Sequence, residues 1–147
     1  MLSWLFSEPL PVGQDAPEFT LLDQDGGEVA LAALRGRNGV LVFYPADETT
    51  LCTQQLCEFR DNWAMVESKD AIVLGINPAD PAKHARFRAN HRFPFALLAD
   101  PGQKVGGLFR AKGLIVKRTV YLVGKSGKIR YARRGKPVPE EVLAAAE

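Results

Sequence analysis

Cysteine is scarce, at two residues in a chain of 147. Two are too few to staple a small secreted scaffold, and their close spacing points to redox or metal chemistry in a reducing compartment. No hydrophobic run approaches the roughly 20 residues that cross a bilayer. Met1-Leu2-Ser3-Trp4-Leu5-Phe6 is apolar but short, lacks a basic flank and runs into Ser7-Glu8-Pro9. It is read as neither a signal peptide nor a spanning helix, so a cytoplasmic protein is expected. Neither sign of charge dominates: the net charge is +2 with 24% charged residues, and nothing global points to nucleic acid or membrane. No internal repeat or low-complexity tract interrupts the chain.

What is present suffices for one domain over residues 1–147, since 46% of the residues are hydrophobic and a core can form without metal or disulfide. Residues 1–12 are read as an apolar leader packed on the domain surface, with a dimer or partner contact as the alternative. The chain is organised around the stretch from Val40 to Asp61. Val40-Leu41-Val42-Phe43-Tyr44 has no strongly polar interior residue, which suits a strand buried on both faces and ended by Pro45. From about Thr50 the apolar positions Leu51, Leu56, Phe59 and Trp63 recur at helical intervals, predicting a helix with one buried stripe. Cys52 then falls in its first turn, where unpartnered backbone N–H groups and the helix dipole favour a thiolate over a thiol.

The remaining elements follow from the same patterning. Residues 19–22 and 28–31 read as short strands of an N-terminal hairpin, joined through a turn containing Asp25-Gly26. One helical turn is expected over 32–35. Residues 71–77 form a second apolar strand, and Asp80-Pro81 starts a helix over 81–90 with a side-chain cap and a proline in the first position. A strand, helix, strand order of this kind implies a right-handed crossover and parallel pairing. Residues 95–98 are extended, a brief helix lies around 103–109, strands over 118–123 and 128–132 form a hairpin, and a terminal helix covers 139–146. The sum is an α/β, thioredoxin-like fold: a central mixed sheet flanked by helices, with a β-hairpin extension.

Pro45-x-x-x-Thr49-x-x-Cys52 is the peroxiredoxin active-site pattern. Cys57 followed by Glu58-Phe59-Arg60-Asp61 resembles the peroxiredoxin Q, or bacterioferritin-comigratory, type of the AhpC/TSA superfamily. The resemblance covers nearly the whole chain and implies reduction of hydrogen peroxide and organic hydroperoxides, with no cofactor and no metal. It assigns Cys52 as peroxidatic and Cys57 as resolving cysteine, Thr49 and Arg118 as polar stabilisers, and Pro45 as a shield for the sulfur. It further implies thioredoxin or a similar dithiol as reductant, in a monomer or weak homodimer. From the residues alone, Pro45 is equally a strand terminator, Thr49 a helix cap and Arg118 an exposed strand start. Tyr44 is read as packing. Thr50-Leu51 stands where the type commonly has Pro-Gly, which puts a side chain beside the sulfur and suggests a preference for organic hydroperoxides.

Residues five apart in a regular helix lie roughly 8 to 9 Å apart at Cα, and a disulfide needs less than about 7 Å. If Cys57 resolves the sulfenic acid on Cys52, the first turns of the helix must unwind in each cycle. Three other readings carry less. A zinc site from Cys52, Cys57, His84 and His91 has poor geometry, and both histidines are expected to be solvated on a polar helix. A disulfide oxidoreductase would want Cys-x-x-Cys at the helix start. A binding module would use Lys125, Lys128, Arg130, Arg133, Arg134 and Lys136, whose plainer reading is a solvated hairpin.

Overall fold

The computed structural model describes residues 7–147. Its seven-stranded sheet has the order β2-β1-β5-β4-β3-β6-β7, formed by β1 (Thr20–Leu22), β2 (Glu28–Ala30), β3 (Asn38–Phe43), β4 (Ala71–Asn77), β5 (Ala96–Ala99), β6 (Thr119–Val123) and β7 (Ile129–Arg134). The helices are α1 (Thr50–Asp61), α2 (Trp63–Ser68), α3 (Pro81–His91), α4 (Lys104–Leu108) and α5 (Pro139–Leu143). β3 pairs parallel with β4, and β4 with β5, while β6 and β7 add antiparallel. The crossover and the mixed sheet expected from the sequence are both present. The hairpin is tied to the sheet by one antiparallel pair, Leu22 with Ala99.

β3 lies inside the sheet between β4 and β6, and all six of its residues are buried. Its side chains alternate between two cores, as a strand period of two requires. Val40 and Val42, with Tyr44 just beyond, join Leu56 and Phe59 of α1, Val66 of α2, Phe87 of α3 and Val142 of α5 on one face. Leu41 and Phe43 meet Phe109, Tyr121 and Ile129 on the other, where Leu10 and Phe19 close the layer. The Leu10 amide donates to the Tyr121 hydroxyl at 2.9 Å and its side chain is buried, whereas Glu8, Pro11 and Val12 are exposed. Residues 1–6 lie outside the described part.

Several boundaries differ from the expectation. The helix that begins at Thr50 stops at Asp61, and Asn62 breaks the path before Trp63 starts α2. The terminal helix ends at Leu143 rather than 146; Pro139, Val142 and Leu143 are its buried residues. β6 starts at Thr119, leaving Arg118 in the preceding segment. Gly75 in β4 is required by a close approach: a Cβ there would stand 3.1 Å from the Tyr44 ring and 2.8 Å from Leu97 Cδ2.

Candidate active site

Pro45 ends the central strand, since its ring fixes φ and removes a ladder donor. The chain crosses Ala46–Thr49 and enters α1. Thr53 donates its amide to the Thr49 carbonyl at 2.9 Å, closing the first turn. The amides of Thr50, Leu51 and Cys52 therefore precede the helical ladder and have no acceptor within it. The buried stripe of α1 is Cys52, Gln55, Leu56 and Phe59, the i, i+3, i+4, i+7 face of a helix. Leu51, expected in that stripe, is 49% exposed, because it lies one position from Cys52 and turns to solvent.

Cys52 is 1% exposed, and Arg118 reaches it from the segment just before β6: Arg118 Nη2 lies 3.3 Å from Cys52 Sγ. The same guanidinium donates through Nη1 to Gln55 Oε1 at 2.6 Å. Gln55 in turn donates to the Gly135 carbonyl at 3.4 Å. Gln55 thus fixes the angle at which a planar two-armed cation meets the sulfur, a task that a lysine could not perform. Sequence reasoning passed over Gln55. Its position three residues after Cys52, in a stripe otherwise apolar, was the available signal.

Thr49 and Pro45 belong to the loop that leads from β3 into α1. Thr49 is the cap residue of α1, but its side chain makes no capping bond; the hydroxyl donates instead to the Ala46 carbonyl at 3.1 Å. The capping role expected for the side chain is thereby corrected, and the hydroxyl braces the loop. Pro45 is half-buried. Cys57 is half-buried against the core, and burial pushes its thiol up from the usual value, with Arg60 working against that and Asp61 with it. No disulfide links the two cysteines.

Beneath the loop is a buried polar network. Tyr44 donates to Asp47 Oδ1 at 2.6 Å, and Asn77 Nδ2 donates to the same oxygen at 3.0 Å. His84 Nδ1 is 2.7 Å from Asp47 Oδ2, and His84 Nε2 is 3.0 Å from the Leu98 carbonyl. The expectation that His84 is solvated is wrong: its side chain is fully buried, as is that of Asp47. Burial works to raise the Asp47 carboxyl, yet hydrogen bonds from His84, Tyr44 and Asn77 hold it below the usual carboxylate value. Tyr44 is more than packing; burial first, then the Asp47 charge and hydrogen bond, and then the charge of Cys52, raise its hydroxyl well above the usual value and keep it a donor.

His91 is not freely solvated either, because its Nε2 meets Glu48 Oε1 at 2.9 Å, with Asn90 Nδ2 on the other Glu48 oxygen at 2.7 Å. These two bonds hold the Glu48 carboxyl below its usual value. They also secure a backbone with φ of 62°, which costs a non-glycine residue of order 1 kcal/mol or more. Both nitrogens of His84 are occupied, which removes it from the zinc set. The basic residues near the C-terminus are largely partnered: Lys125 with Asp70, Lys128 with Asp15, Arg133 with Glu141, Lys136 with Glu58, and Arg134 with the Thr119 hydroxyl and the Ser7 carbonyl. A docking patch is correspondingly not favoured. Among the described residues no helix is long and apolar enough to cross a membrane.

The sheet order, with a cysteine at the start of the helix that follows the central strand, places the molecule among thioredoxin-fold thiol proteins. Comparison narrows this further: the chain belongs to the AhpC/TSA family, whose model matches residues 12–132. Peroxiredoxin Q, chloroplastic, of Oryza sativa subsp. japonica is 40% identical over 136 residues, spanning 88% of this chain and 61% of that protein. Peroxiredoxin Q, chloroplastic, of Arabidopsis thaliana is also 40% identical, over 88% of this chain and 62% of its own. The chain thus spans about three-fifths of the length of these curated relatives. Among solved structures, the peroxidoxin BcpB of Mycobacterium tuberculosis superposes with a TM-score of 0.87 at 29% identity, covering 92% of this chain and 96% of that one.

Proposed function

We propose that the protein, as one domain, is a thiol peroxidase that reduces hydrogen peroxide and organic hydroperoxides. The observation that carries this reading is the Arg118 guanidinium 3.3 Å from the Cys52 sulfur at the open end of α1. In the first step the Cys52 thiolate attacks one peroxide oxygen and the O–O bond breaks. Cys52 becomes a sulfenic acid, and the other oxygen leaves as water or an alcohol after taking a proton. Arg118 and the free amides of the first turn face the charge that develops on the leaving oxygen. Thr49 orients the peroxide, and Pro45 keeps water from the sulfur.

In the second step the Cys57 sulfur attacks the sulfenic sulfur, a disulfide forms and water departs. Burial keeps Cys57 a protonated thiol in the folded helix, so unwinding both shortens the reach and favours the nucleophilic form. A dithiol such as thioredoxin then returns both cysteines to thiols by exchange, becoming a disulfide itself. The reducing-compartment pattern of cysteine use supports a cytoplasmic protein, while the rice and Arabidopsis relatives are named chloroplastic. A monomer or weak homodimer completes the reading.

The test pairs the reduced protein with a hydroperoxide and, separately, with a disulfide substrate. Turnover on the hydroperoxide with a dithiol present is expected, and turnover on the disulfide alone would favour an oxidoreductase. The exposed Leu51 makes a second prediction for the same assay. Leu51→Gly lowers the efficiency ratio of organic hydroperoxide to hydrogen peroxide by a few-fold, the scale of one apolar contact of about 1 kcal/mol. An unchanged ratio would remove Leu51 from substrate choice.

A further inference from the structure

We propose that His84, through Asp47, anchors the Tyr44–Thr49 loop in its peroxide-receiving shape while α1 unwinds, which makes His84 a positioning residue for the oxidation step. The inference rests on the thiol peroxidase reading above.

Its basis is the proton arrangement and the ownership of each partner. The Leu98 carbonyl can only accept, so His84 Nε2 carries a hydrogen. His84 Nδ1 stands 2.7 Å from a carboxylate oxygen, so a second proton lies between them. The other Asp47 oxygen is filled by Tyr44 and Asn77. Every polar atom of the cluster is paired, in a setting where the Asp47 and His84 side chains are fully buried. Loss of one partner strands another without solvent, so the cluster stays made or breaks as a unit.

None of these partners belongs to α1. Asn77 is on β4, Leu98 on β5 and His84 on α3. Glu48 repeats the pattern one residue on, since Asn90 and His91 also lie on α3, and His84 and His91 are two helical turns apart on one face. The two histidines of the chain therefore bind consecutive acids of the loop to α3. α1 packs Leu56 and Phe59 in the same apolar core as Tyr44 and Phe87, while its side-chain polar contacts between the cysteines and Glu58 go to other elements: Cys52 and Gln55 to Arg118, Gln55 to Gly135 and Glu58 to Lys136. Arg60 makes a hydrogen bond from α1 to α3, donating to the His91 carbonyl at 2.7 Å, and it lies beyond Cys57. Across Thr49 and Thr50 the loop and α1 are joined through the Thr49 carbonyl, which accepts from the Thr53 amide at 2.9 Å and the Thr53 hydroxyl at 2.7 Å, and neither bond belongs to the cluster. The helix between the cysteines can leave without breaking one bond of the cluster, and Pro45 and Thr49 await the returning sulfur in place.

Two measurements test this. In the wild-type protein the His84 ring N–H protons, followed by NMR, are expected to persist in both reduced and disulfide forms while backbone amides between Cys52 and Cys57 lose protection. Disappearance of the ring signals upon oxidation would overturn the anchor. The disulfide can be made with diamide as well as peroxide, so a protein inert to peroxide would refute the peroxidase reading while the ring protons still answer for the anchor. In rapid-mixing kinetics, His84→Gln keeps a donor for Leu98 and loses the Asp47 contact. It is expected to slow oxidation of Cys52 by at least about tenfold, the cost of a small misplacement, without slowing disulfide formation. His84→Asn, whose amide can reach Asp47, should recover most of that rate. Equal slowing of both steps, or oxidation of His84→Gln at the wild-type rate, would show the residue to be structural only.

Discussion

Arg118→Met is expected to slow reduction of hydroperoxide by about 10²–10³-fold, the scale seen when one donor to a developing anion is removed. The substituted side chain has a similar length and no charge, so the shape of the pocket is largely kept. Two interactions vanish together: the contact with Cys52 Sγ at 3.3 Å and the bond to Gln55 Oε1 at 2.6 Å. Because Gln55 is 1% exposed, its stranded oxygen also costs stability, about 1–3 kcal/mol. Arg118→Lys separates these effects. A lysine supplies the charge but cannot address the sulfur and the amide at once, so an intermediate rate is expected. Competition kinetics against a peroxide-consuming reporter measures both variants. A rate within a factor of a few of wild type for Arg118→Met would mean that the guanidinium does not serve the reacting sulfur.

Amide exchange over residues 50–60 should accelerate by orders of magnitude on forming the disulfide. The argument is geometric, since cysteines five apart in a helix cannot bond until the intervening turns open. In the reduced protein those turns are held by Leu56, which is fully buried and contributes about 1.5–3 kcal/mol by leaving water, and by the Glu58–Lys136 pair. The sulfenic acid offers a covalent bond in exchange. Exchange equally slow in both redox states would exclude Cys57 as the resolving group and assign that step to an external thiol.

The fold was readable because buried strands announce themselves as unbroken apolar runs. Residues 71–77 match β4 to the residue, and Asp80-Pro81 starts α3 with the expected capping bond, the Lys83 amide donating to the Asp80 carboxylate. Boundaries were less legible where tertiary contacts decide them. The stop at Asn62 has no proline or glycine to mark it, and neither has the end of α5 at Leu143. Of the site, Cys52 came from the motif and its place at a helix start, and Arg118 from the family resemblance alone; the two side chains stand 3.3 Å apart.

Gln55, Asp47 and His84 were not found, for a common reason. Polar residues are read as solvent-facing unless their pattern contradicts it, and burial of a polar group depends on partners that sit far away in the chain. The Asp47–His84 contact spans 37 residues, and Gln55–Arg118 spans 63. A signal was nevertheless available on α3, where His84, Phe87 and His91 recur at i, i+3 and i+7, the stripe of a helix face that packs inward.

Intact-mass measurement after one equivalent of hydroperoxide tests the central claim most directly, on wild type, Cys57→Ser and Cys52→Ser side by side. The account predicts loss of a pair of hydrogens in the wild type, gain of one oxygen in Cys57→Ser, and no change in Cys52→Ser. An unmodified wild-type mass, or oxidation that survives removal of Cys52, would contradict it.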